Sequence, residues 1–145
     1  MNSTEDCIDT FNSLLRGELS AVENYNQAIE KFTNEPELGD LQAIKADHQE
    51  AVGILRQHVS HMGGTPAEDS GAWGTFARAV EGGAKLLGES LALSALIAGE
   101  EHGISEYQEA LEQQGAMEEI KEPIRSKLLP ALEKHINALK RLQHL

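Results

Sequence analysis

The sequence has few of the residues that mark several common classes of protein. It contains a single cysteine, Cys7, so no disulfide can form within the chain and no group of thiolates can bind a metal. The four prolines and 13 glycines form no low-complexity run. No apolar run approaches the ~20 residues that a membrane-spanning helix needs. We therefore expect neither a disulfide-stabilised scaffold nor a membrane protein.

Positive charge is also scarce. Lysine and arginine total 12 against 24 acidic residues, which gives a formal net charge of −12. Such a surface repels nucleic-acid phosphates and anionic lipid headgroups but attracts metal cations, so we expect no nucleic-acid or membrane partner. The first ten residues, "MNSTEDCIDT", are acidic and lack the basic and apolar segments of a secretory signal. We therefore expect a cytoplasmic protein.

What the sequence does have is helical periodicity. Apolar residues recur at alternating steps of three and four, and no segment alternates with the period of a strand. The pattern predicts helices over about residues 3–33, 36–62, 85–114 and 117–143. Between helices 2 and 3 it predicts a connection over about residues 63–84, with a short helix around Trp73–Val80. Pro130 predicts a kink in helix 4.

Amphipathic helices of this length bury their apolar stripes against one another. The loops between helices 1 and 2 and between helices 3 and 4 are short, whereas the connection between helices 2 and 3 is long. We therefore predict one all-α domain over residues 1–145, a four-helix bundle of two helical hairpins joined by a long crossover.

Seven polar residues stand on the apolar stripes. They are Glu18 and Tyr25 on helix 1, His48 and His58 on helix 2, Glu100 and Tyr107 on helix 3, and His135 on helix 4. A buried carboxylate costs several kcal/mol unless it is paired or bound to a cation. Neither glutamate has a lysine or arginine near it on its own stripe, so histidines or a metal ion are the available partners.

The two halves of the chain repeat one pattern. "ELSAVENYNQAIE" (18–30) aligns with "EEHGISEYQEALE" (100–112), sharing the first Glu, the Tyr, the Ala and the last Glu. "HQEAVGIL" (48–55) aligns with "HINALKRL" (135–142), sharing the His, the Ala and the last Leu. Two such hairpins packed about a pseudo-twofold axis would bring two glutamates and two histidines together.

This arrangement predicts a mixed carboxylate and imidazole site for Fe, Mn or Zn. The predicted ligands are Glu18, His48, Glu100 and His135. Tyr25 and Tyr107 are predicted to orient those ligands through hydrogen bonds. Asp47, Glu101 and His58 are further candidates for the site.

One segment resembles a known family. "FNSLLRGELSAVENYNQAIE" is similar to the first helix of ferritin-like proteins, especially bacterioferritins and rubrerythrins, where a glutamate followed seven residues later by a tyrosine supplies a terminal metal ligand and its neighbour. The chain also resembles small bacterial ferritin-like proteins related to rubrerythrin. The shared features are the "GGTP" stop after helix 2, the long connection, and "GEE" with a tyrosine on helix 3. The resemblance implies a ferritin-like bundle, iron as the metal, and by analogy a homodimer.

The resemblance also implies an activity, with one departure. By position, the four predicted ligands correspond to the family's single glutamates on helices 1 and 3 and to the histidines of its Glu-x-x-His motifs on helices 2 and 4. The bridging glutamates of those motifs are replaced here by Lys45 and Leu132. If the protein is an enzyme, the resemblance implies a ferroxidase- or peroxidase-like oxidoreductase acting on iron or peroxide, without the complete di-iron ligand set.

A second interpretation needs no metal. The chain would then be a helical interaction or stress-associated module, in which Glu18 pairs with His135 and Glu100 pairs with His48, and the Trp73–Phe76 segment forms a partner surface. A hydrolase or transferase lacks support, because the sequence offers neither a nucleophile with a base nor a phosphate-binding loop. The metal content of the purified protein distinguishes the two remaining interpretations.

Overall fold

A computed structural model describes residues 3–32, 35–69, 89–113 and 118–144. All the regular elements in these ranges are helical, as predicted. They are α1 (Ser3–Lys31), α2 (Glu35–His61), α3 (Glu89–Glu112), α4 (Glu118–Pro123), a π-helical turn (Ile124–Leu128) and α5 (Leu129–Gln143). No helix in the described ranges combines the length and hydropathy that a bilayer span requires.

The helices pair as two hairpins. α1 packs along α2, and α3 packs along α5, while the hairpins meet through contacts of α1 with α3 and of α2 with α5. The predicted crossover and the short helix around Trp73–Val80 fall mainly on residues 70–88, which lie outside the described residues. The fold is therefore a bundle of four helical arms, the last of which is made of α4, the π-helical turn and α5.

The fourth arm differs from the single helix that the sequence predicts. The backbone N–H of Leu129 donates to the carbonyl of Ile124, five residues back, which widens the helix for one turn. Pro130 follows immediately and has no N–H to donate to the preceding turn. The structure thus accommodates Pro130 with a π-helical turn directly before it.

The end of α2 depends on two glycines. Gly63 has a φ of 85°, a backbone conformation that disfavours residues with a Cβ, and its N–H bonds to the carbonyl of Ser60 at 3.0 Å. A Cβ on Gly64 would lie 2.6 Å from Cγ2 of Ile8. The "GGTP" segment therefore both ends α2 and lets the chain pass close against α1.

Two apolar clusters fill the bundle, one on each side of a polar layer. One cluster is built around Phe11, Leu15, Leu55, Ile124 and Leu128. The other is built around Phe32, Leu41, Leu93, Leu96 and Leu139. Each fully buried aliphatic or aromatic side chain contributes about 1.5–3 kcal/mol through removal from water. We call the four buried residues between the clusters, Glu18, His48, Glu100 and His135, the polar layer.

Candidate metal centre

The polar layer contains all four residues that the sequence predicts as metal ligands. They come from α1, α2, α3 and α5, and their exposed fractions are 5% for Glu18, 3% for His48, 4% for Glu100 and 2% for His135. Each lies partway along its helix, between residues of the two apolar clusters. The stripes of the four helices therefore meet at one depth in the bundle.

Glu100 occupies the centre of the layer. Its Oε1 lies 2.7 Å from Nε2 of His48, and its Oε2 lies 3.3 Å from Nδ1 of His135. The hydroxyl of Tyr25 donates to Oε1 at 2.7 Å. The ring of Tyr25 also stacks on His48, with centroids 5.4 Å apart. One carboxylate thus contacts both histidines and joins the two hairpins.

The outer nitrogen of each histidine faces a different carboxylate. Nδ1 of His48 lies 2.5 Å from Oε2 of Glu18, and Nε2 of His135 lies 2.8 Å from Oδ2 of Asp47. The hydroxyl of Tyr107 donates to Oε1 of Glu18 at 2.6 Å. The structure therefore pairs Glu18 with His48, its neighbour in the first hairpin, and not with His135 as the metal-free interpretation expects. The other pair of that interpretation, Glu100 with His48, is present.

The charges in the layer stabilise one another. Burial disfavours the charged form of His48, but the carboxylates of Glu100 and Glu18 and their hydrogen bonds outweigh it and raise the pKa of His48 well above 6.5. Burial likewise opposes ionisation of Glu100, but the charge of His48 and the hydrogen bonds from both histidines lower its pKa to about 2. Without a bound metal, this raised pKa favours the cationic form of His48, which lies between Glu18 and Glu100.

The two tyrosines remain neutral hydrogen-bond donors. Burial is the largest cause that raises the pKa of Tyr25 well above 10, followed by the charge of Glu100 and its hydrogen bond. Burial followed by the charge of Glu18 acts on Tyr107 in the same direction. Each hydroxyl is therefore held as a donor to one carboxylate of the layer.

The structure separates the three additional candidates. Asp47 contacts His135, and because its side chain is 44% exposed it connects the layer to the surface. Glu101 is exposed on α3. His58 packs its ring against Phe11 in an edge-to-face arrangement, with centroids 5.9 Å apart, within the first apolar cluster. Of the three, only Asp47 contacts the layer.

Residues 45 and 132, where the resemblance implies bridging glutamates, offer no carboxylate for a metal. Leu132 is 3% exposed and packs in the first apolar cluster, and Lys45 carries a cationic side chain. Within the described residues, His48, Glu100 and His135 each offer one donor atom, and these atoms lie within 4.8 Å of one another. Bond lengths of ~2.0–2.2 Å place two donors on one ion at most ~4.4 Å apart, so small shifts would allow these three side chains to share an ion.

Two clefts reach the layer from outside. The cleft between α1 and α3 has small residues along its walls, including Gly17, Ala21, Gly99 and Gly103. The cleft between α2 and α5 contains Asp47, Glu50, Lys127 and His135. Lys127 forms an ion pair with Glu50 among these exposed residues. Both clefts border the layer, since Glu18 and His48 line both, Glu100 lines the first and His135 lines the second.

Solved structures with the same arrangement of helices are ferritin-like. A crystal structure of ferritin-like, diiron-carboxylate proteins from Bacillus anthracis strain Ames is similar with a TM-score of 0.82 and 20% identity, over 99% of each chain. A dodecameric thioferritin, the bacterioferritin-related protein from Bacteroides fragilis, is similar with a TM-score of 0.77 and 18% identity, over 95% of this chain and 84% of that one. These likenesses establish a ferritin-like helical fold.

Comparison by sequence identifies a family but no characterised relative. A search of curated proteins finds no significant match. Residues 6–113, which include Glu18, His48 and Glu100, match the model of a family described as a domain of unknown function, DUF2383. The chain therefore belongs to the DUF2383 family and has a ferritin-like fold.

Proposed function

We propose that this protein binds a transition metal ion in the polar layer between its two hairpins. The observation that carries the proposal is the convergence of donor atoms from His48, Glu100 and His135 within 4.8 Å in the core. Ferritin-like bundles place their metal sites in the same part of the fold, on side chains that project inward from facing helices.

The chemistry of the donor atoms fits the proposal. Two imidazoles and a carboxylate suit Fe, Mn or Zn, and iron is our first choice because one similar structure is described as a diiron-carboxylate protein. Glu18 and Glu100 are both buried, and in the described part of the chain their ion pairs are with histidines alone. A divalent cation would offset the negative charge that these carboxylates carry into the core.

The side chains around the ion would have separate tasks. A bound iron or manganese ion would supply one-electron redox chemistry. Tyr25 and Tyr107 hold the carboxylates of Glu100 and Glu18 in position, and the apolar clusters on both sides limit access of water to the layer. We propose oxidation of iron or reduction of peroxide as the activity, with the clefts admitting the reactants.

The first experiment measures metal content. Protein purified without chelator should contain iron, or bind added ferrous iron, at a fixed ratio to the chain. The variants Glu100→Ala and His135→Ala should lose that metal, whereas Glu101→Ala, which removes the neighbouring exposed carboxylate, should keep it. Substoichiometric metal in the parent that is unchanged in all three variants would contradict metal binding.

A second experiment isolates the redox step. If the protein is a ferroxidase, ferrous iron added in air should be oxidised faster than in a buffer control and faster than with Glu100→Ala, as followed by the absorbance of the ferric product. If the metal stays bound but oxidation is no faster, the protein binds metal but is not a ferroxidase.

One observation favours a metal-free interaction module as the second candidate. Both nitrogens of His48 and both nitrogens of His135 face carboxylates, so hydrogen bonds within the layer can satisfy the two rings without an ion. The partner surface expected at Trp73–Phe76 lies outside the described residues. Correctly folded protein that binds no metal in the first experiment would favour this candidate.

We also propose a homodimer that works in the cytoplasm. The dimer follows from the analogy with ferritin-like bundles, although the similar protein from Bacteroides fragilis is dodecameric. The mass of the particle in solution, measured by light scattering, distinguishes a dimer from a monomer of 15.8 kDa and from larger assemblies. Cell fractionation tests the location.

A further inference from the structure

We infer that the polar layer holds a single ion, bound by His48, Glu100 and His135. Glu18 and Asp47 have a different role, since each accepts a hydrogen bond from one histidine and so fixes which ring nitrogen faces the ion. The inference rests on the metal binding proposed above and divides the site into three ligands and two positioning carboxylates. The result is a site of two histidines and one carboxylate.

The nitrogens of the two histidines give the first argument. Each ring directs one nitrogen toward Glu100, which both rings share, and the other toward a carboxylate of its own. A neutral imidazole has one N–H and one lone pair, so the nitrogen that donates a hydrogen bond cannot also bind a metal. A carboxylate on one nitrogen therefore leaves the other nitrogen free to bind.

The shared position of Glu100 indicates which nitrogen of each ring would face the ion. In His48, the contact with Glu18 is 2.5 Å and the contact with Glu100 is 2.7 Å. In His135, the contact with Asp47 is 2.8 Å and the contact with Glu100 is 3.3 Å. Each ring thus has one nitrogen beside the shared carboxylate and the other beside a carboxylate that only this ring contacts. His48 would therefore bind through Nε2 and His135 through Nδ1, each on the side of Glu100.

The surroundings of Glu18 support its positioning role. Its Oε1 accepts a hydrogen bond from Tyr107 at 2.6 Å, and its Oε2 lies 2.5 Å from Nδ1 of His48, the nitrogen that does not contact Glu100. Among the described side chains, Glu18 is not one of the three whose donor atoms lie mutually within 4.8 Å. Asp47 contacts the nitrogen of His135 that faces away from Glu100. Both carboxylates are thus placed behind the histidines.

The residues at the two bridging positions argue for one ion. A second ion would need carboxylates beyond those that already bond the histidines, but Leu132 and Lys45 stand three residues before them. Leu132 is buried, and its Cδ1 lies 3.0 Å from where a Cβ on Gly103 would be, so its side chain fills this part of the interface. Three protein ligands on one ion leave coordination positions open for water or a small ligand.

Nuclear magnetic resonance of the zinc-loaded protein tests the assignment directly. Zn²⁺ is diamagnetic, and the ¹⁵N shifts of the imidazole rings distinguish a protonated nitrogen from a metal-bound one. We expect opposite tautomers, with the proton of His48 on Nδ1 and that of His135 on Nε2, and one Zn²⁺ per chain. The same tautomer in both rings, or two ions per chain, would overturn the inference while leaving metal binding in place.

Variants of Asp47 test the positioning role. Asp47→Ala should lower Zn²⁺ affinity by about 10–100-fold while the stoichiometry stays at one. Asp47→Asn should restore part of the loss, because the amide oxygen can still accept the Nε2 proton. Glu50→Ala is the matched control. It removes a negative charge from the same cleft, but the carboxylate of Glu50 pairs with Lys127 and not with a histidine. An equal loss in Asp47→Ala and Glu50→Ala would overturn the role of Asp47.

Variants of Glu18 separate a ligand from a positioning residue. In cobalt-loaded protein the visible spectrum reports the atoms bound to the ion, so Glu18→Gln should weaken binding but preserve the spectrum. Glu100→Gln should change the spectrum or abolish binding. If Glu18→Gln changes the spectrum in the same way as Glu100→Gln, Glu18 is a ligand and the inference is overturned. Parent protein that binds neither Zn²⁺ nor Co²⁺ would overturn the proposed function itself.

Discussion

Nε2 of His48 on α2 lies 2.7 Å from Oε1 of Glu100 on α3, and this contact joins the two hairpins in the core of the bundle. Both side chains are more than 95% buried. An ion pair at this depth stabilises the fold only while both partners are present, because removing one leaves the other charged and without compensation.

The variant His48→Ala should therefore destabilise the metal-free protein strongly. It leaves Glu18 and Glu100 buried without their shared cation, and loss of one partner of a buried pair costs about 3–5 kcal/mol. Urea unfolding followed by circular dichroism measures the change in the free energy of unfolding. His58→Ala is the control, since His58 is a half-buried histidine on the same helix that packs on Phe11, and its loss should cost clearly less. Equal losses would contradict the role of His48.

The stability of the metal-free protein should depend on pH on two sides. The pKa of His48 is raised above 6.5, so its contribution is complete below pH 6.5 and is lost as the pH rises through the folded-state value. The pKa of Glu100 is lowered from 4.5 to about 2, so its contribution is complete above pH 4.5 and is lost as the pH falls toward 2. Urea unfolding in the presence of a chelator measures the free energy of unfolding at each pH. Both groups should contribute fully to it between about pH 4.5 and 6.5.

The groups that face His48 in this prediction are Glu18 and the ring of Tyr25 on α1, Glu100 on α3 and the ring of His135 on α5. The variant His48→Gln removes the titrating group and keeps a polar side chain. The free energy of unfolding of the parent should fall as the pH rises above 6.5, whereas that of the variant should not show this fall. If the variant and the parent decline equally above pH 6.5, another group controls the alkaline side.

Each tyrosine hydroxyl should contribute to stability through the carboxylate that it contacts. Tyr25→Phe and Tyr107→Phe retain the rings but remove the donors to Glu100 and Glu18. Loss of a hydrogen bond to a buried charged group costs about 1.5–3 kcal/mol. Thermal or urea unfolding measures both variants, and unchanged stability would mean that the hydroxyls do not support the layer.

Introducing glutamates at the two positions where the resemblance implies bridging ligands should change the number of ions bound. We expect the double variant Lys45→Glu with Leu132→Glu to bind two Fe²⁺ or Zn²⁺ ions per chain where the parent binds one. Without metal, Leu132→Glu should unfold more easily than the parent, because it buries a carboxylate in an apolar cluster at a cost of several kcal/mol. Elemental analysis after removal of free metal gives the ratio, and a ratio of one would mean that the two positions do not complete a second site.

Much of the fold follows from local patterns in the sequence. Steps of three and four between apolar residues place those side chains along one face of a helix, so the helices and their buried faces can be predicted without knowledge of the partners. The same periodicity marks Glu18 and Glu100 as inward-facing, and both are buried in one layer. Their role as the surroundings of a metal ion remains a prediction.

Other features depend on contacts that a local pattern does not contain. Asp47 precedes His48 and is rotated from it by about 100° around α2, so the helical pattern alone does not place it in the layer. It contacts His135 because α5 packs beside that face of α2. The π-helical turn before Pro130 likewise depends on how the fourth arm continues past a missing donor.

The sequence by itself determined that four amphipathic helices bury two glutamates and two histidines, because burial follows from position on an apolar stripe. Only the tertiary structure decided that Glu100 is the carboxylate shared by both histidines, whereas Glu18 and Asp47 each contact one. The reason is that hydrogen bonds between helices depend on their relative depth and rotation, and these are set by the packing of the two apolar clusters.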